Sequence, residues 1–458
     1  MKRWPVIAVL GSAGSAVACA SILGIEPGQL ETSGGEAGIP ICVADGGDHP
    51  NTATGLFVQG DVGQDESTCG DEASPCKTVS FAVTKAKQSA GKSTVYVAVA
   101  QKAYVETLTL LPGITIEGGW TVTGNGDNAE WDRVCSFTDA TQLPTITGTE
   151  NVTVHADEIG GEATLRYLAI ASKIPGPGES LYGLFASGSS TKVTLDNVLI
   201  RIGPGGEGKA GEPGSPGEAG GGQCPVGTGT AAMEDGDAGA AGTLGDFGPI
   251  GATSTPAQNG GAGASGENGV AGSDGGCVAC LQCTNRIGSA CLSAQASCGL
   301  PGHSGCGGSG GGGGSAGGNG GSAVGIYAWG GAVVVTGSQI NVGGGGNGGA
   351  GGNGGAGGSG GAGDPGDSGT TCSTGCGAGL GCSSAITTTG DGDGGVGSLG
   401  GNGSAGGQGG GGAGGQCYGV VSGLDASVTL PSGIVQVKSG GTGGIPGGAS
   451  GKSGERFP

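Results

Sequence analysis

Residues able to do acid–base chemistry are sparse in this 458-residue chain. Asp196 and Arg201 fall on neighbouring short apolar segments, and Glu162 and Arg166 share the segment pair before them. A polysaccharide lyase needs several carboxylates holding Ca2+ beside a base, and a hydrolase needs paired acids. Two acid–arginine pairs supply neither, and they read as surface ion pairs. The three histidines, His49, His155 and His303, have no Ser or Cys at an informative distance and read as solvated turn residues. Asp364-Pro365-Gly366-Asp367 and Asp391-Gly392-Asp393-Gly394-Gly395 have the composition of calcium turns but do not recur in fixed phase. The many G-x-G strings lack the strand–helix context and following Lys-Ser/Thr of a phosphate loop. The residues therefore point to no catalytic site, no metal and no cofactor. Trp120 and Trp329 could still serve as platforms on which a sugar ring stacks.

What must position any such residue is a chain dominated by glycine. There are 119 Gly against 16 Phe, Trp and Tyr together, and most of these aromatics precede residue 186. The sizeable core therefore belongs to the N-terminal half. The formal charge is −20, and −22 once the first 18 residues take Lys2 and Arg3 with them. That surplus repels nucleic acid and other polyanions and otherwise favours solubility.

Lys2 and Arg3, the apolar run Val6 to Leu10, and small residues up to Ala18 have the layout of a secretory signal. Ala16-Val17-Ala18-Cys19 resembles a bacterial lipobox, with Ala16 where that motif usually has Leu. The resemblance implies acylation of Cys19, a membrane tether through the N-terminal lipid, and, since Ala20 is not Asp, an outer-membrane or surface location in a Gram-negative envelope. Cleavage near Ala18 with free secretion is the other reading, and both place the protein outside the cytoplasm.

Cysteine usage agrees with export. With Cys19 set aside, 15 remain of the 16, an odd number that implies a free thiol, an intermolecular bond or an unmodified Cys19. Cys69 and Cys76 bracket a tight loop suited to its own disulfide. Cys277, Cys280, Cys283, Cys291, Cys298 and Cys306 form one cluster, and Cys372, Cys376 and Cys382 another. In an oxidising compartment both read as disulfide staples rather than metal ligands.

Lys77 to Ala90 places Val79, Ala82, Val83 and Ala86 at helical spacing. Beyond Gly91 the period becomes two: Val95/Val97/Val99, Leu108/Leu110, Ile114/Ile116, Val152/Val154, Leu168/Ile170, Val193/Leu195 and Ile200/Ile202. Such short strands, separated by turn residues, suit a coiled solenoid better than a sandwich. Tyr182-Gly183-Leu184, Val324-Gly325-Ile326 and Tyr418-Gly419-Val420 are each followed by Val193/Leu195, Val333/Val335 or Val428/Leu430, then by Ile200/Ile202, Ile340/Val342 or Val435/Val437. One structural unit thus repeats, interrupted at one turn.

Ser74-Pro75-Cys76-Lys77-Thr78-Val79, the helix, Val95 to Val99, Tyr104-Val105-Glu106 and Gly113 to Trp120 resemble the start of a right-handed parallel β-helix of the pectate-lyase-like type. The resemblance spans roughly 69–202 and implies an all-β solenoid with an N-terminal capping helix. As a whole, the chain is similar to Gly/Cys-rich surface lipoproteins of the myxobacterial type, a class without an assigned activity.

Between the repeats glycine recurs at every third residue. From Gly345 the triplets read GGN, GGA, GGN, GGA, GGS, GGA, and residues 208–219 read GKA, GEP, GSP, GEA. This period suits polyproline-II-type helices packed on glycine edges. With almost no Pro in the GGX tracts, the structured reading is a bundle of polyglycine-II strands hydrogen-bonded to one another and pinned by Cys, and the other reading is a flexible disordered loop. The expected layout is a signal over 1–18, a tether over 19–41 and a β-helix over 42–202. Insertions follow over 203–323 and 344–417, repeat units over 324–343 and 418–438, and a tail over 439–458. A charge in a tract, as in Gly354→Asp, is expected to be tolerated where Leu195→Asp is not. The functional expectation is a non-enzymatic envelope protein with a structural, adhesive or carbohydrate-contact role; a β-helix lyase or hydrolase is the alternative, and ice or crystal binding a remote one.

Overall fold

The computed structural model describes residues 49–124, 126–133, 142–275, 299–368 and 393–457. They form an all-β body of parallel sheets with one α-helix among the described residues. Strand β1 (Gly55–Val58) and helix α1 (Val79–Gln88) come first. Thereafter the chain supplies one strand to each of three sheets in a fixed order: β2 (Thr94–Ala98), β3 (Tyr104–Val105) and β4 (Leu108–Thr109). The next set is β5 (Thr115–Thr123), β7 (Thr145–Thr147) and β8 (Val152–Asp157), with β6 (Glu130–Arg133) antiparallel on β5. Then come β9 (Glu162–Arg166), β10 (Ala169–Ala171) and β11 (Leu181–Ser187), followed by β12 (Lys192–Asp196) and β13 (Leu199–Ile202).

After a hairpin of β14 (Thr243–Gly248) and β15 (Gly251–Thr255), the order resumes with β16 (Ala323–Trp329), β17 (Ala332–Thr336) and β18 (Gln339–Val342). It ends with β19 (Cys417–Gly423), β20 (Ser427–Thr429), β21 (Val435–Val437) and β22 (Ser453–Arg456). The first sheet runs β1-β2-β5-β9-β12-β17-β20, the second β21-β18-β13-β10-β7-β3 and the third β22-β19-β16-β11-β8-β4.

Register explains why the alternation was written into the sequence. Leu56, Val95, Ile116, Leu165, Leu195 and Val335 stand opposite one another along the first sheet, all buried. Ile146, Ile170, Ile200, Ile340 and Val435 do the same on the second, and Val154, Leu184, Ile326 and Val420 on the third. These rows meet in one core. A strand this short buries too little alone; stacked rows bury it continuously. The corner from first to second sheet is made by Tyr167, Asn197 and Gly337 in successive sets, at φ of 53°, 55° and 55°. That left-handed conformation ends the strand and redirects the chain.

Helix α1 covers one end of the core with Val79, Ala82, Val83 and Ala86, as their spacing predicts. Thr78 caps it, accepting from the Phe81 amide, and the Glu106 carboxylate accepts from the Val79 and Ser80 amides at 2.9 and 2.8 Å. A carboxylate there also meets the positive end of the helix. At the other end the Arg456 guanidinium donates to the Val428 carbonyl at 3.0 Å.

Among the described residues the glycine tracts lie side by side in regular array. The glycine-rich interruptions after β13, β18 and β21 each fall between a second-sheet strand and the next third-sheet strand, so these tracts leave the body at one corner. There they bond to one another at every third residue. The amides of Gly208, Gly211, Gly214, Gly217 and Gly220 donate to the carbonyls of Asn347, Ala350, Asn353, Ala356 and Ser359 at 2.7–2.8 Å. Gly349, Gly352, Gly355 and Gly358 donate to Gly318, Ser315, Gly312 and Ser309, and Gly403, Gly406, Gly409 and Gly412 donate to Gly358, Gly355, Gly352 and Gly349.

Glycine content follows position in this array. Among the described residues, tract 394–415 borders five others, whereas 205–220 borders two. Among the described residues, tract 345–363 borders four others and has glycine at two positions in three, whereas 208–219 has it at one. At Gly354 a Cβ would lie 1.8 Å from the Gly406 carbonyl oxygen, and at Gly355 1.9 Å from that of Ser215. The expected tolerance of Gly354→Asp is thereby overturned: the obstacle is fixed backbone, not an open loop. Asn353 and Ala356, the third members, are exposed.

Two disulfides form among the described residues. Cys69 bonds to Cys76, and Cys306 of tract 302–321 to Cys224, 82 residues earlier and just past the end of tract 205–220. Cys417 is a free thiol, fully buried within β19, and burial pushes its pKa up.

Candidate functional site

Two surfaces bring polar or aromatic side chains together. On the outer face of the first sheet, Tyr96, Glu117, Arg166, Asp196 and Thr336 stand in register on five adjacent strands. Arg166 donates to Asp196 Oδ2 through Nε and Nη2, each at 3.1 Å, and reaches Glu117 Oε2 at 3.8 Å. Arg133 bonds the other oxygen of Glu117, its guanidinium lying over the rings of Trp120 and Tyr167 at 4.5 and 4.7 Å. Thr336 and Asn197 donate to Asp196 Oδ1 at 3.1 and 3.0 Å.

The expected pairs are therefore corrected. Asp196 pairs with Arg166, not Arg201, because Asn197 turns the corner and puts exposed Arg201 on the second sheet. Glu162 pairs with Lys192 at 3.1 Å, not Arg166, and hydrogen bonds from Lys192 and Thr194 hold its carboxyl below the usual carboxylate range. A general base needs a carboxylate lone pair aimed at substrate; here the carboxylates are engaged by arginine, lysine and hydroxyl partners. Trp120 is also corrected: at 2% exposure it is core, packed with Tyr96 beneath Arg133, and cannot be a platform.

The outer face of the third sheet is different. Three rows run across it: Val152, Tyr182, Val324 and Tyr418; His155, Phe185, Tyr327 and Val421; and Asp157, Ser187, Trp329 and Gly423. Phe185 stacks on Tyr327 with centroids 4.9 Å apart and planes 5° apart, and Tyr327 lies near-parallel to Trp329 at 6.2 Å and 14°. The Trp329 indole lies across Gly423, where a Cβ would come within 2.2 Å of it. Glycine at that position leaves the space over the next strand that the indole occupies.

The hairpin β14–β15, which belongs to the long insertion, folds back over part of this face. Phe247 packs on Tyr327, Tyr418 and Phe457, and Gln416 Nε2 donates to the Gly245 carbonyl at 3.0 Å. The Ala252 amide donates to the Tyr182 hydroxyl at 2.8 Å, and the Tyr327 hydroxyl donates to the Gly248 carbonyl. Burial pushes the Tyr182 and Tyr327 phenols up, so both stay protonated and serve as fixed donors and acceptors. Phe185 and Trp329 are left half-buried beside the hairpin.

The face is bordered by polar groups. Asp157 accepts from the Ser187 hydroxyl at 3.1 Å through Oδ1, and His155 Nδ1 lies 3.1 Å from Oδ2. A nucleophilic relay would need the hydroxyl on the imidazole; here hydroxyl and imidazole both address the carboxylate. The group is an oriented, half-exposed acid beside two aromatic rings. No family model, curated protein or solved structure matches the chain.

Other expected positions separate. His49 and His303 are exposed, and the His303 carbonyl accepts from the Asp364 amide. Asp367 likewise bonds through its backbone to Leu300. No group of three potential metal ligands occurs among the described residues. Cys19, Cys277, Cys280, Cys283, Cys291, Cys298, Cys372, Cys376 and Cys382 lie outside the described residues, as do Asp391 and Gly392. Sequence reasoning found Trp329 but missed Phe185, the Asp157–Ser187 row and the hairpin. The signals were present: Phe185 and Ser187 extend the Tyr182-Gly183-Leu184 unit, and Gly248-Pro249-Ile250-Gly251 is turn chemistry between apolar residues inside a glycine-rich stretch.

Proposed function

We propose that the protein is a non-enzymatic surface component that contacts glycans through the outer face of its third sheet. In this reading the body is a right-handed parallel β-helix, the tracts are polyglycine-II strands forming a rigid lateral array, and Cys19 carries the lipid that tethers the whole to the outer membrane. The observation that carries the glycan reading is the pair of half-buried rings, Phe185 and Trp329, held near-parallel to Tyr327 and bordered by hydroxyl and carboxylate groups. Flat rings with polar edges fit a sugar, which offers an apolar C–H face and equatorial hydroxyls. The fixed order in which the chain visits three parallel sheets supports the β-helix.

The test is a glycan array followed by titration. Neutral oligosaccharides should bind, Trp329→Ala should weaken binding about tenfold, corresponding to roughly 1.4 kcal/mol of lost stacking, and no oligosaccharide should be cleaved with or without Ca2+. Release of reducing ends or unsaturated products would overturn the non-enzymatic reading, and unchanged affinity in Trp329→Ala would overturn the platform. The tether is tested separately. Cys19→Ser should abolish palmitate incorporation and move the protein from membrane to medium, and persistent membrane association would sink that part.

A further inference from the structure

The third-sheet face also carries information about the charge of its ligand. Its three rows contain one carboxylate, Asp157, and no Lys or Arg among the described residues. Asp157 is 49% exposed and is held by Ser187 and His155, so its orientation is set while part of it faces solvent. Glu158 follows it, exposed, and exposed Asp425 lies two residues beyond Gly423 at the other end of the same row. Trp329 stands two strands from Asp157, about 10 Å at the usual strand spacing. Aromatic faces attract cations, and a carboxylate accepts strong charge-assisted hydrogen bonds from an ammonium group. The charge of the whole chain, −20, adds a long-range field of the same sign.

We propose that this face selects amino-bearing, cationic glycans: a sugar ring stacks on Trp329 or Phe185 while an ammonium group on a neighbouring ring of the same oligomer pairs with Asp157. This rests on the glycan-contact reading above and adds the chemical class of the glycan. Uronate polymers are excluded by the same charges.

Titration of the full chain at about pH 5, where amino-sugar amines carry their proton, tests it with three hexamers: a glucosamine oligomer, whose ammonium groups can donate to a carboxylate, its N-acetyl counterpart, and oligogalacturonate. The cationic oligomer should bind at least about tenfold tighter than the N-acetyl one, and the galacturonate should not bind. Asp157→Asn should bring the cationic oligomer down to the N-acetyl affinity without changing the latter. Trp329→Phe, which keeps a ring over Gly423, should retain the preference if Trp329→Ala proves unstable. Equal affinity for the cationic and N-acetyl oligomers would overturn the charge selection and leave the stacking face standing. A preference undiminished in Asp157→Asn would overturn the assignment to Asp157 and attribute the preference to net charge. Failure to bind all three would overturn both readings.

Discussion

Leu195→Asp is expected to unfold the sheet body cooperatively. Leu195 is fully buried in the first-sheet row, between Leu165 and Val335 on the neighbouring strands. An aspartate there has no partner for its carboxylate, and burying it unpaired costs several kcal/mol whether it stays charged or takes up a proton. The lost leucine adds about 2–5 kcal/mol. Together these match the roughly 5–15 kcal/mol by which a domain is stable. Circular dichroism should show loss of the β signal at room temperature, or a transition lowered by tens of degrees. Ser427→Asp, on an exposed position of the same sheet, should melt as the parent does. Parent-like melting of Leu195→Asp would mean that the register is wrong.

Gly354→Ala should open the glycine array while leaving the body folded. The new methyl would sit 1.8 Å from the Gly406 carbonyl oxygen, and neither backbone can yield without breaking bonds to its other neighbours. Overpacking of this kind costs about 1–3 kcal/mol, and the Gly406–Gly355 bond at 2.9 Å should be among those lost. Hydrogen exchange is the direct measurement: protection at Gly403, Gly406 and Gly409 should collapse while amides of the sheet strands keep theirs. Asn353→Ala, one residue away and exposed, should leave all of them protected. Equal protection in Gly354→Ala would mean that the tract does not lie against 394–415.

The body was legible from the sequence because its determinants are local. Val193/Leu195 and Ile200/Ile202 alternate within single strands, and the spacing between them places two faces around one corner. Helix α1 was legible for the same reason. The pairing of Asp196 with Arg166 was not, because it depends on which strands lie side by side: residues 30 apart become neighbours while Arg201, five apart, turns away. The order of the glycine tracts was hidden similarly. A triplet states how many faces must be bare but not which tract approaches them. The third-sheet face needed both kinds of information, a row assembled across β8, β11, β16 and β19 and a hairpin returning from an insertion.

The glycine array carries a thermal consequence. Its tracts bury backbone amides and carbonyls against one another and scarcely any hydrocarbon, whereas the body is built on aliphatic rows. Exposing apolar surface raises heat capacity and exposing polar surface lowers it. Unfolding the body should therefore carry the ordinary large positive heat-capacity change, and unfolding the array a change near zero or negative. Hydrophobic stabilisation weakens on cooling, so the body has a temperature of maximum stability, while the array, held by hydrogen bonds, keeps tightening below it. At low temperature the lateral array, not the aliphatic core, becomes the more persistent half of the molecule.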